Sequence, residues 1–510
     1  MPFWDVFAST CRVHAHRTAI VDGDRRLTFG EWAALSESVA TTLAERGVRI
    51  GDAVAFQLPN WWETCVLFTA IARLGAIANP LLPMLREREL PFMLQQSGAR
   101  HLFIPHLYRG TDYTELHARV RSLGTEVESI SVIRERADEP FARPNAPGTP
   151  PPESRRSPDD LLLLMYTSGT TAEPKGVLHS NATLLAEVES LRRAHGLVSG
   201  DKTLMPSPLT HISGVLHGIM SPAVLGTTAV LMDRWSAAEA TMLIERERVT
   251  YMVGAPIFLR DLVAARGDGG WTRSLRLFSC GGAAVSASQI RAARDALGCV
   301  AKRVYGSTEF PTITTTGPGD AETRAIETEG APIVPNEIRI AGAAGEPLPV
   351  GATGEIQARG PECFVGYADP SLNADAFTAD GWFRTGDAGE IDRAGYLIVT
   401  GRIKEIIIRK GEKISIREIE DLLLTHPRVR AVCVVGVPDD VVGEMVCAAV
   451  EPAPESNLSQ ADIIEHLSAN GVAKQKWPER ITFRGDLPRT ESGKVHRAAV
   501  VGMFESARVT

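Results

Sequence analysis

Segments with the apolar spacing of helices alternate with short apolar runs typical of strands along the first part of the chain. Residues 28–31 have the spacing of a helix-capping box, and apolar side chains then recur on one helical face. Residues 54–58 and 101–104 are predicted strands, and residues 61–74 and 87–96 are predicted helices. Because strands that alternate with helices build parallel sheets, we predict a parallel sheet with helices on both faces.

A polar loop at residues 165–176 interrupts this pattern. It follows residues 161–164, an apolar run predicted to be a strand buried on both faces, and it precedes Ser180 and Asn181, which cap a predicted helix. We therefore expect the loop to join a buried strand to a helix. Its glycines, hydroxyl side chains and Lys175 suit a polyphosphate, although their order does not match the Walker pattern. An ordinary surface loop is the alternative.

The later pattern indicates more than one domain, as the length of 510 residues also does. Residues 250–253 and 275–279 are predicted to be further strands of the same sheet, and residues 140–159 have the composition of a solvated linker. The pattern changes most at Lys404, after which strands and helices of a separate α+β unit of about a hundred residues follow. We predict domains at residues 1–402 and 403–510.

Composition narrows the class of protein. Hydrophobic content of 44% and charged content of 23% are typical of a globular protein, and a net charge of −8 argues against a nucleic-acid partner. The seven cysteines are scattered without a CxxC pair, which favours reduced thiols. The first residues lack the pattern of a signal peptide, and residues 61–82, the most apolar long segment, are interrupted by Glu63, Arg73 and Pro80. We expect a cytoplasmic protein without a membrane span.

Further short sequence motifs, which we call strings, contain residues that could bind or react with a substrate. Each of these residues also has an ordinary structural explanation. A tyrosine beside a glycine turn, such as Tyr305, is often a packing residue. Asp387 can equally cap a turn, and Lys494 can be an ordinary solvent-exposed lysine. Cys280 is expected to be a small buried residue, and His211 equally fits a hydrogen-bonded core histidine. The strings span residues 208–214, 279–284, 304–309, 381–387 and 487–494.

These strings and the polar loop, taken in their order, resemble the adenylate-forming enzymes, which include acyl-CoA synthetases, carrier-protein adenylation domains and beetle luciferases. The resemblance covers essentially the whole chain. It implies an α/β fold with a large N-terminal domain of stacked α/β sheets and a small mobile α+β C-terminal lid. Residues 58–63 and 79–83 are similar to acyl-CoA synthetases that act on alicyclic (cyclohexanecarboxylate-like) or medium-chain acids. One departure is Ala172, where the family usually has glycine.

The resemblance also implies roles for individual residues. Tyr305 would stack on adenine, Asp387 would accept the ribose hydroxyls, and Lys494 would bridge the substrate carboxylate and the α-phosphate. Glu309 and Thr170 would hold Mg²⁺, and Lys404 would be the hinge of the lid. The implied catalytic residues are Lys494, Thr308, Glu309 and His211, and the implied ATP- and AMP-binding residues are Thr167, Ser168, Gly169, Thr170, Thr171, Lys175, Gly281, Gly282, Ala283, Tyr305, Gly306, Ser307, Asp387 and Arg402.

The implied reaction is the activation of a hydrophobic carboxylic acid by ATP and Mg²⁺ to an acyl-adenylate, followed by transfer to coenzyme A. The acyl pocket is expected at residues 211–217, Trp235, residues 281–283 and residues 311–315. An enzyme that releases the acyl-adenylate, or passes it to a carrier protein or a partner enzyme, is the main alternative. A non-catalytic nucleotide-binding protein is a remote one. The acid can be alicyclic, aromatic, medium-chain or terpenoid-like, and a homodimer is one oligomeric state that the resemblance allows.

Overall fold

The computed structural model describes residues 1–134, 156–167, 174–265, 274–283, 285–403, 406–409, 412–439, 442–490 and 493–506. Two large mixed sheets form the centre of the first 370 or so of these residues. In spatial order, the strands of the first sheet are Ala331–Pro332, Thr314–Thr315, Val300–Tyr305, Leu277–Gly281, Tyr251–Gly254, Lys202–Met205, Thr228–Leu231, Thr18–Asp22 and Arg25–Thr28. Those of the second sheet are Gly366–Tyr367, Lys175–Ser180, Leu161–Thr167, Ile77–Pro80, Ala53–Phe56, His101–Pro105 and Ser129–Ile133.

The first sheet is parallel in its interior and antiparallel at both ends. The second is antiparallel only at the end formed by Gly366–Tyr367 and Lys175–Ser180, and its remaining strands are parallel through to Ser129–Ile133. A continuous apolar core of aromatic and aliphatic side chains packs between them and their helices. These helices are Phe3–Val13, Phe29–Glu45, Trp62–Leu74, Leu90–Ser97, Tyr113–Ser122, Asn181–His195, Ile212–Gly214, the π-helix Val215–Met220, Ser221–Leu225, Ala237–Glu247, Pro256–Ala265, Ala287–Leu297, Glu322–Glu327 and Asn373–Ala376.

Several predicted elements are confirmed. Thr28 and Glu31 make the reciprocal hydrogen bonds of a capping box at the start of helix Phe29–Glu45. Helix Trp62–Leu74 is almost entirely buried and ends at Gly75, whose left-handed backbone closes its last turn. The predicted helix at residues 87–96 begins later, at Leu90. All seven cysteines are free.

The expected passage from the polar loop directly into a helix is wrong. Lys175–Ser180 is a strand that pairs antiparallel with Leu161–Thr167, so the loop joins two strands of a hairpin before helix Asn181–His195 begins. The strand also pairs with Gly366–Tyr367, which lies far along the chain. Pairing with a strand so distant in sequence produces no local apolar pattern from which Lys175–Ser180 could be predicted. The polar residues His179 and Ser180 weaken the strand pattern further.

The stacked α/β sheets that the resemblance implies are confirmed, but the expectation from periodicity that residues 250–253 and 275–279 continue the same sheet is wrong. Tyr251–Gly254 and Leu277–Gly281 belong to the first sheet, whereas Leu161–Thr167 belongs to the second. Short buried strands of two stacked sheets have the same apolar composition, so periodicity alone does not separate them. The predicted linker at residues 140–159 lies largely outside the described residues.

Besides a two-stranded sheet of Leu107–Tyr108 and Thr111–Asp112, two smaller sheets complete the described part of the chain. One is antiparallel and consists of Glu337–Ala341, Gly354–Arg359, Phe383–Ile391 and Leu397–Arg402. The other belongs to a small C-terminal domain with its own apolar cores. Its strands are Glu412–Ser415, Ile406–Arg409, Gly443–Pro452, Val429–Asp439 and Arg480–Phe483, and its helices are Ile416–Leu423, Gln460–Ala469 and Arg497–Ser506. In the described ranges, no helix has both the length and the apolar character that a membrane span requires.

Candidate active site

A turn of the C-terminal domain presents Lys494 to the large domain. The amide of Thr490 donates to the carbonyl of Lys494 at 2.7 Å, and the amide of Gly493 donates back to the carbonyl of Thr490 at 2.8 Å. Gly493 has a φ of +82°, and a Cβ at this position would lie 2.7 Å from Cγ2 of Ile257. Only glycine therefore fits where the turn meets helix Pro256–Ala265.

The side chain of Lys494 lies among the residues predicted to hold the nucleotide. Its Cε is 3.2 Å from the position that a Cβ of Gly282 would occupy. Burial lowers the pKa of Lys494, the charge of Arg402 adds to this effect, and Asp387 and Glu309 oppose it. Lys494, Arg402, Asp387 and Glu309 come from separate parts of the chain, and the structure brings them close enough for their charges to interact. A cation here is placed to stabilise negative charge that develops at a phosphate.

His211 belongs to the same neighbourhood. Its Nδ1 accepts a hydrogen bond from the amide of Ser213 at the start of helix Ile212–Gly214. Burial lowers the pKa of His211 to about 3, and the charge of Lys494 contributes to the lowering. The imidazole is therefore neutral at physiological pH and close to the lysine.

Asp387 is held from two sides. The hydroxyl of Tyr305 donates to Oδ2 at 2.7 Å, and Nε of Arg402 lies 3.1 Å from Oδ1. Asp387 and Arg402 are direct partners across adjacent antiparallel strands. The aspartate is therefore a fixed acceptor, and the hydrogen bond also fixes the ring of Tyr305.

Gly306 and Ser307 shape the turn that carries Thr308 and Glu309. A Cβ on Gly306 would lie 2.0 Å from the carbonyl oxygen of Pro311, so the backbone approaches too closely for any other residue. The amide of Ser307 donates to the carbonyl of Phe310 at 2.9 Å, and its hydroxyl accepts from the amide of Phe310 at 3.3 Å. Gly281 lies in register with Val304 on the neighbouring strand, and Ala283 is exposed beside Gly282.

His179 supports this turn from below, and nothing in the sequence pattern singles it out. Its Nε2 is 2.8 Å from the carbonyl oxygen of Thr308, and its Nδ1 is 3.1 Å from Oγ1 of Thr183. Burial lowers the pKa of His179 to about 4. The neutral ring therefore donates from Nε2 and ties strand Lys175–Ser180 to the backbone of Thr308.

Tyr367 is a second site residue that the sequence pattern did not mark. Its hydroxyl donates to Oε1 of Glu309 at 2.9 Å, and burial raises its pKa, with the charge of Glu309 adding to the rise. Nζ of Lys175 lies 5.0 Å from the centroid of the ring. Because Tyr367 lies in a strand of only two residues, the sequence pattern does not mark it, and its role is visible only from its tertiary contacts.

The predicted phosphate loop lies only partly within the described residues. Thr167 and Lys175 face each other across the hairpin at the two ends of the loop. The remaining predicted positions of the loop, its one departure from the family and the predicted hinge lie outside the described residues: Ser168, Gly169, Thr170, Thr171, Ala172 and Lys404.

Several residues expected in the acyl pocket make core contacts instead. His217 is buried with its Nδ1 at 3.3 Å from the hydroxyl of Tyr251, and the hydroxyl of Thr315 donates to the carbonyl of Arg303. Nε1 of Trp235 donates to Asp261 at 3.1 Å, and its ring packs against Phe258 near the start of helix Pro256–Ala265. Of the predicted pocket residues, Gly282 lies against Lys494, and His211 is within its electrostatic range.

Among the described residues, no group of three or more histidine, cysteine, aspartate or glutamate side chains is arranged to hold a metal ion. Glu309 offers one carboxylate near the candidate phosphate site, with one oxygen bonded to Tyr367. Mg²⁺ typically uses one or two protein carboxylates and completes its coordination with phosphate oxygens and water. The site therefore fits a metal that arrives with the nucleotide.

Comparison with known proteins agrees with this fold and site. The family model for the AMP-binding enzyme matches residues 7–368, and that for the AMP-binding enzyme C-terminal domain matches residues 418–494. A fold of this kind, with an anionic acceptor, a glycine-lined turn and a lysine from a small second domain, defines an adenylate-forming ligase. The chain belongs to the AMP-binding enzyme family, whose members bind ATP and activate a carboxylic acid as an adenylate.

Similar proteins differ in the acceptor that their names give. The chain is 34% identical over 502 residues to the medium-chain fatty-acid–CoA ligase of Escherichia coli K12, covering 97% of this chain and 88% of that protein. It is similar in structure to the anthranilate–CoA ligase AuaEII in complex with anthranoyl-AMP, with 26% identity, a TM-score of 0.89 and coverage of 100% and 98%. It is also similar to the amide bond synthetase McbA of Marinactinospora thermotolerans, with 27% identity, a TM-score of 0.85 and coverage of 99% and 100%.

Proposed function

We propose that the protein is an AMP-forming acid–CoA ligase that converts a hydrophobic carboxylic acid to its coenzyme A thioester. The observation that carries this proposal is the position of Lys494. Its side chain, delivered by the C-terminal domain, lies against Gly282 and within electrostatic reach of Asp387 and Glu309. A solvated surface lysine would not lie half-buried among the groups that a nucleotide requires.

In the first half-reaction, a carboxylate oxygen attacks the α-phosphorus of ATP and pyrophosphate leaves. This step converts a poor acyl donor into a mixed anhydride with a good leaving group. Lys494 would contact both the carboxylate and the α-phosphate, and would offset the charge that grows on phosphorus. Asp387 would accept the ribose hydroxyls, and Thr308 would bond the α-phosphate. Mg²⁺, held by Glu309, would neutralise phosphate charge when bound.

In the second half-reaction, the thiol of coenzyme A attacks the acyl carbon, and AMP leaves. We propose that the domain of residues 403–510 turns about Lys404 between the two steps, which would remove Lys494 and bring residues 410–413 to the site. The relative named as a medium-chain fatty-acid–CoA ligase supports coenzyme A as the acceptor. So does the short stretch between Glu309 and Gly354, which leaves little room for a large insertion.

An enzyme that passes its acyl-adenylate to another acceptor is the second candidate. The similarity to a solved amide bond synthetase favours it, because that protein has the same fold over 99% of this chain. Both candidates share the adenylation step and differ only in the nucleophile that follows. The acid is expected to be of medium size and hydrophobic in both cases, since the apolar residues that flank His211 in the chain, Leu209, Ile212 and Val215, are buried.

The test is pyrophosphate release from ATP with a panel of alicyclic, aromatic and medium-chain acids, each with and without coenzyme A. We expect release with one group of acids and a thioester product when coenzyme A is present. Lys494→Ala should abolish release but retain ATP binding, because the loss is in the transition state. Lys476→Ala is the matched control, since Lys476 pairs with Glu418 on the same domain.

Two results would change the conclusion. Pyrophosphate release with an adenylate that accumulates unchanged in coenzyme A would assign the protein to the second candidate. Equal release by wild type and Lys494→Ala would remove the assigned role of the lysine.

A further inference from the structure

Residues 364–368, which we call the clamp segment, connect the predicted phosphate hairpin to the turn that carries Glu309. The amide of Phe364 donates to the carbonyl of Glu309 at 2.8 Å. On the hairpin side, the amide of Val365 donates to the carbonyl of Leu178 at 2.8 Å, and that of Ala368 donates to Gly176 at 2.7 Å. The segment therefore fixes the distance between the two predicted phosphate-binding elements.

Tyr367 is the side chain of this segment that reaches both elements. Its hydroxyl donates to the carboxylate of Glu309 at 2.9 Å, and Nζ of Lys175 lies over its ring, 5.0 Å from the centroid. The residue is only 6% exposed and packs edge-on against Phe364, with ring centroids 4.9 Å apart. Its orientation is thus set by packing, and the two charged side chains take their positions from it.

The two contacts have different consequences for a nucleotide. The hydrogen bond from the hydroxyl to Oε1 fixes the orientation of the carboxylate of Glu309, the group proposed to hold the metal. The ring holds the ammonium of Lys175 in position by a cation–π contact. The ammonium can bind phosphate directly and needs no metal to do so. Because ordering a flexible side chain before binding removes part of the entropic cost, the loss of either contact weakens binding.

We propose that Tyr367 is a positioning residue that holds Glu309 ready for Mg²⁺ through its hydroxyl and Lys175 ready for phosphate through its ring. The inference rests on the proposed function in that Glu309 is the residue that holds the metal. It extends that function by naming the residue that organises both phosphate-binding charges.

The experiment measures ATP affinity by isothermal titration calorimetry, with excess Mg²⁺ and with EDTA, in the absence of any acid. For Tyr367→Phe, we expect the gain in affinity from Mg²⁺ to fall about five- to tenfold, while metal-free affinity stays unchanged. For Tyr367→Leu, metal-free affinity should fall as well, because the ring beneath Lys175 is also lost. Glu309→Gln should lose the gain from Mg²⁺ altogether.

Tyr396→Phe is the matched control. Its hydroxyl also donates to a carboxylate, that of Asp320 at 2.8 Å, and a cation, Arg324, also lies over its ring at 4.6 Å. This tyrosine lies in the turn between Phe383–Ile391 and Leu397–Arg402 and carries neither predicted phosphate ligand. It should keep the wild-type response to Mg²⁺.

Each outcome is decisive. An unchanged or larger gain from Mg²⁺ in Tyr367→Phe overturns the proposal, as does an equal loss with and without metal, which would indicate a structural effect. A wild type that binds ATP without any response to Mg²⁺ also overturns it, yet leaves adenylation possible. A wild type that binds no ATP contradicts the proposed function itself.

Discussion

At the scale of single residues, the site depends on charges whose partners hold them in place. Asp387 is the clearest case, because Tyr305 and Arg402 bond its two oxygens separately. The carboxylate is 13% exposed, whereas Arg402 is 53% exposed. Their ion pair therefore contributes little to folding, and the geometry serves to aim an acceptor.

Asp387→Asn tests this interpretation. The amide keeps one acceptor oxygen but loses the charge, and charge-assisted hydrogen bonds to two ribose hydroxyls weaken. We expect ATP affinity to fall roughly tenfold, which is about 1.4 kcal/mol, with little change in melting temperature. Calorimetric titration with ATP and a thermal melt measure the two effects. Asp380→Asn is the control, since Asp380 also pairs with an arginine, Arg339, at the surface.

A matching loss of ATP affinity in Asp380→Asn, or an Asp387→Asn variant that binds ATP as wild type does, would contradict the assigned role.

The sequence was informative about residues whose chemistry lies in a local string. Lys494, Asp387 and Gly306 are predicted site residues because each belongs to a string that resembles the adenylate-forming enzymes, and the structure brings these strings together. His179 and Tyr367 were not predicted, because their importance lies in contacts with Thr308 and Glu309 across the fold. A buried histidine or tyrosine has the same local pattern whether or not it supports a site.

At the scale of elements, Lys302 ties the first sheet to helix Asn181–His195. It is 3% exposed, and its Nζ donates to the carbonyl of Ala194 at 2.8 Å and to that of Thr316. A cation at the end of a helix is favourable for the helix dipole. Burial nevertheless lowers the pKa of Lys302 to about 7.

Lys302→Met should change how stability depends on pH. The unfolded lysine titrates near 10.5, so above pH 7 the unfolded chain keeps a proton that the folded state releases. The free energy of unfolding of wild type should then rise with pH by up to ~1.4 kcal/mol per unit in this window, relative to the variant. Urea unfolding at about pH 7.5 and about pH 8.5 measures the difference. Lys202→Met, at a half-buried strand end, is the control.

Parallel pH dependence in wild type and Lys302→Met would show that the lysine does not titrate in this window.

The turn of Gly493 is the element that delivers Lys494, the proposed catalytic lysine. Gly493→Ala would force a side chain into a left-handed backbone and against Ile257. We expect pyrophosphate release to fall at least about tenfold, because small displacements of a reacting group cost large factors in rate. ATP binding should persist, since its predicted contacts lie in the large domain. Gly485→Ala, with no atom within 4 Å of the added Cβ, should behave as wild type.

If Gly493→Ala loses ATP binding, or if it keeps full activity, the turn does not act by positioning Lys494.

Helices and strands were predicted correctly where the pattern that defines them lies within their own residues. Capping residues, apolar spacing and a terminal glycine defined helices such as Phe29–Glu45 and Trp62–Leu74. The strand Lys175–Ser180 was missed because half of its pairing comes from Gly366–Tyr367. Long-range pairing of this kind is visible only in the folded chain.

At the scale of the whole molecule, contacts between the two domains decide where Lys494 lies. Arg417 of the small domain donates from Nη2 to Oε1 of Glu329 at 2.7 Å, and Arg303 of the large domain bonds the same oxygen at 3.2 Å. Glu329 also accepts the amide of Val399 at 2.9 Å. Because Glu329 keeps Arg303 as a partner, the small domain can withdraw Arg417 without leaving a buried charge alone.

Arg417→Gln should therefore act on one half-reaction. If the domain turns between the steps, this pair stabilises only the orientation seen here, in which Lys494 occupies the site. We expect adenylation to slow about tenfold in single turnovers, while thioester formation from supplied acyl-adenylate is unchanged or faster. Arg428→Gln is the control, because Arg428 pairs with Asp462 within the small domain. Equal slowing of both half-reactions would indicate general damage to the domain and contradict a contact that selects one orientation.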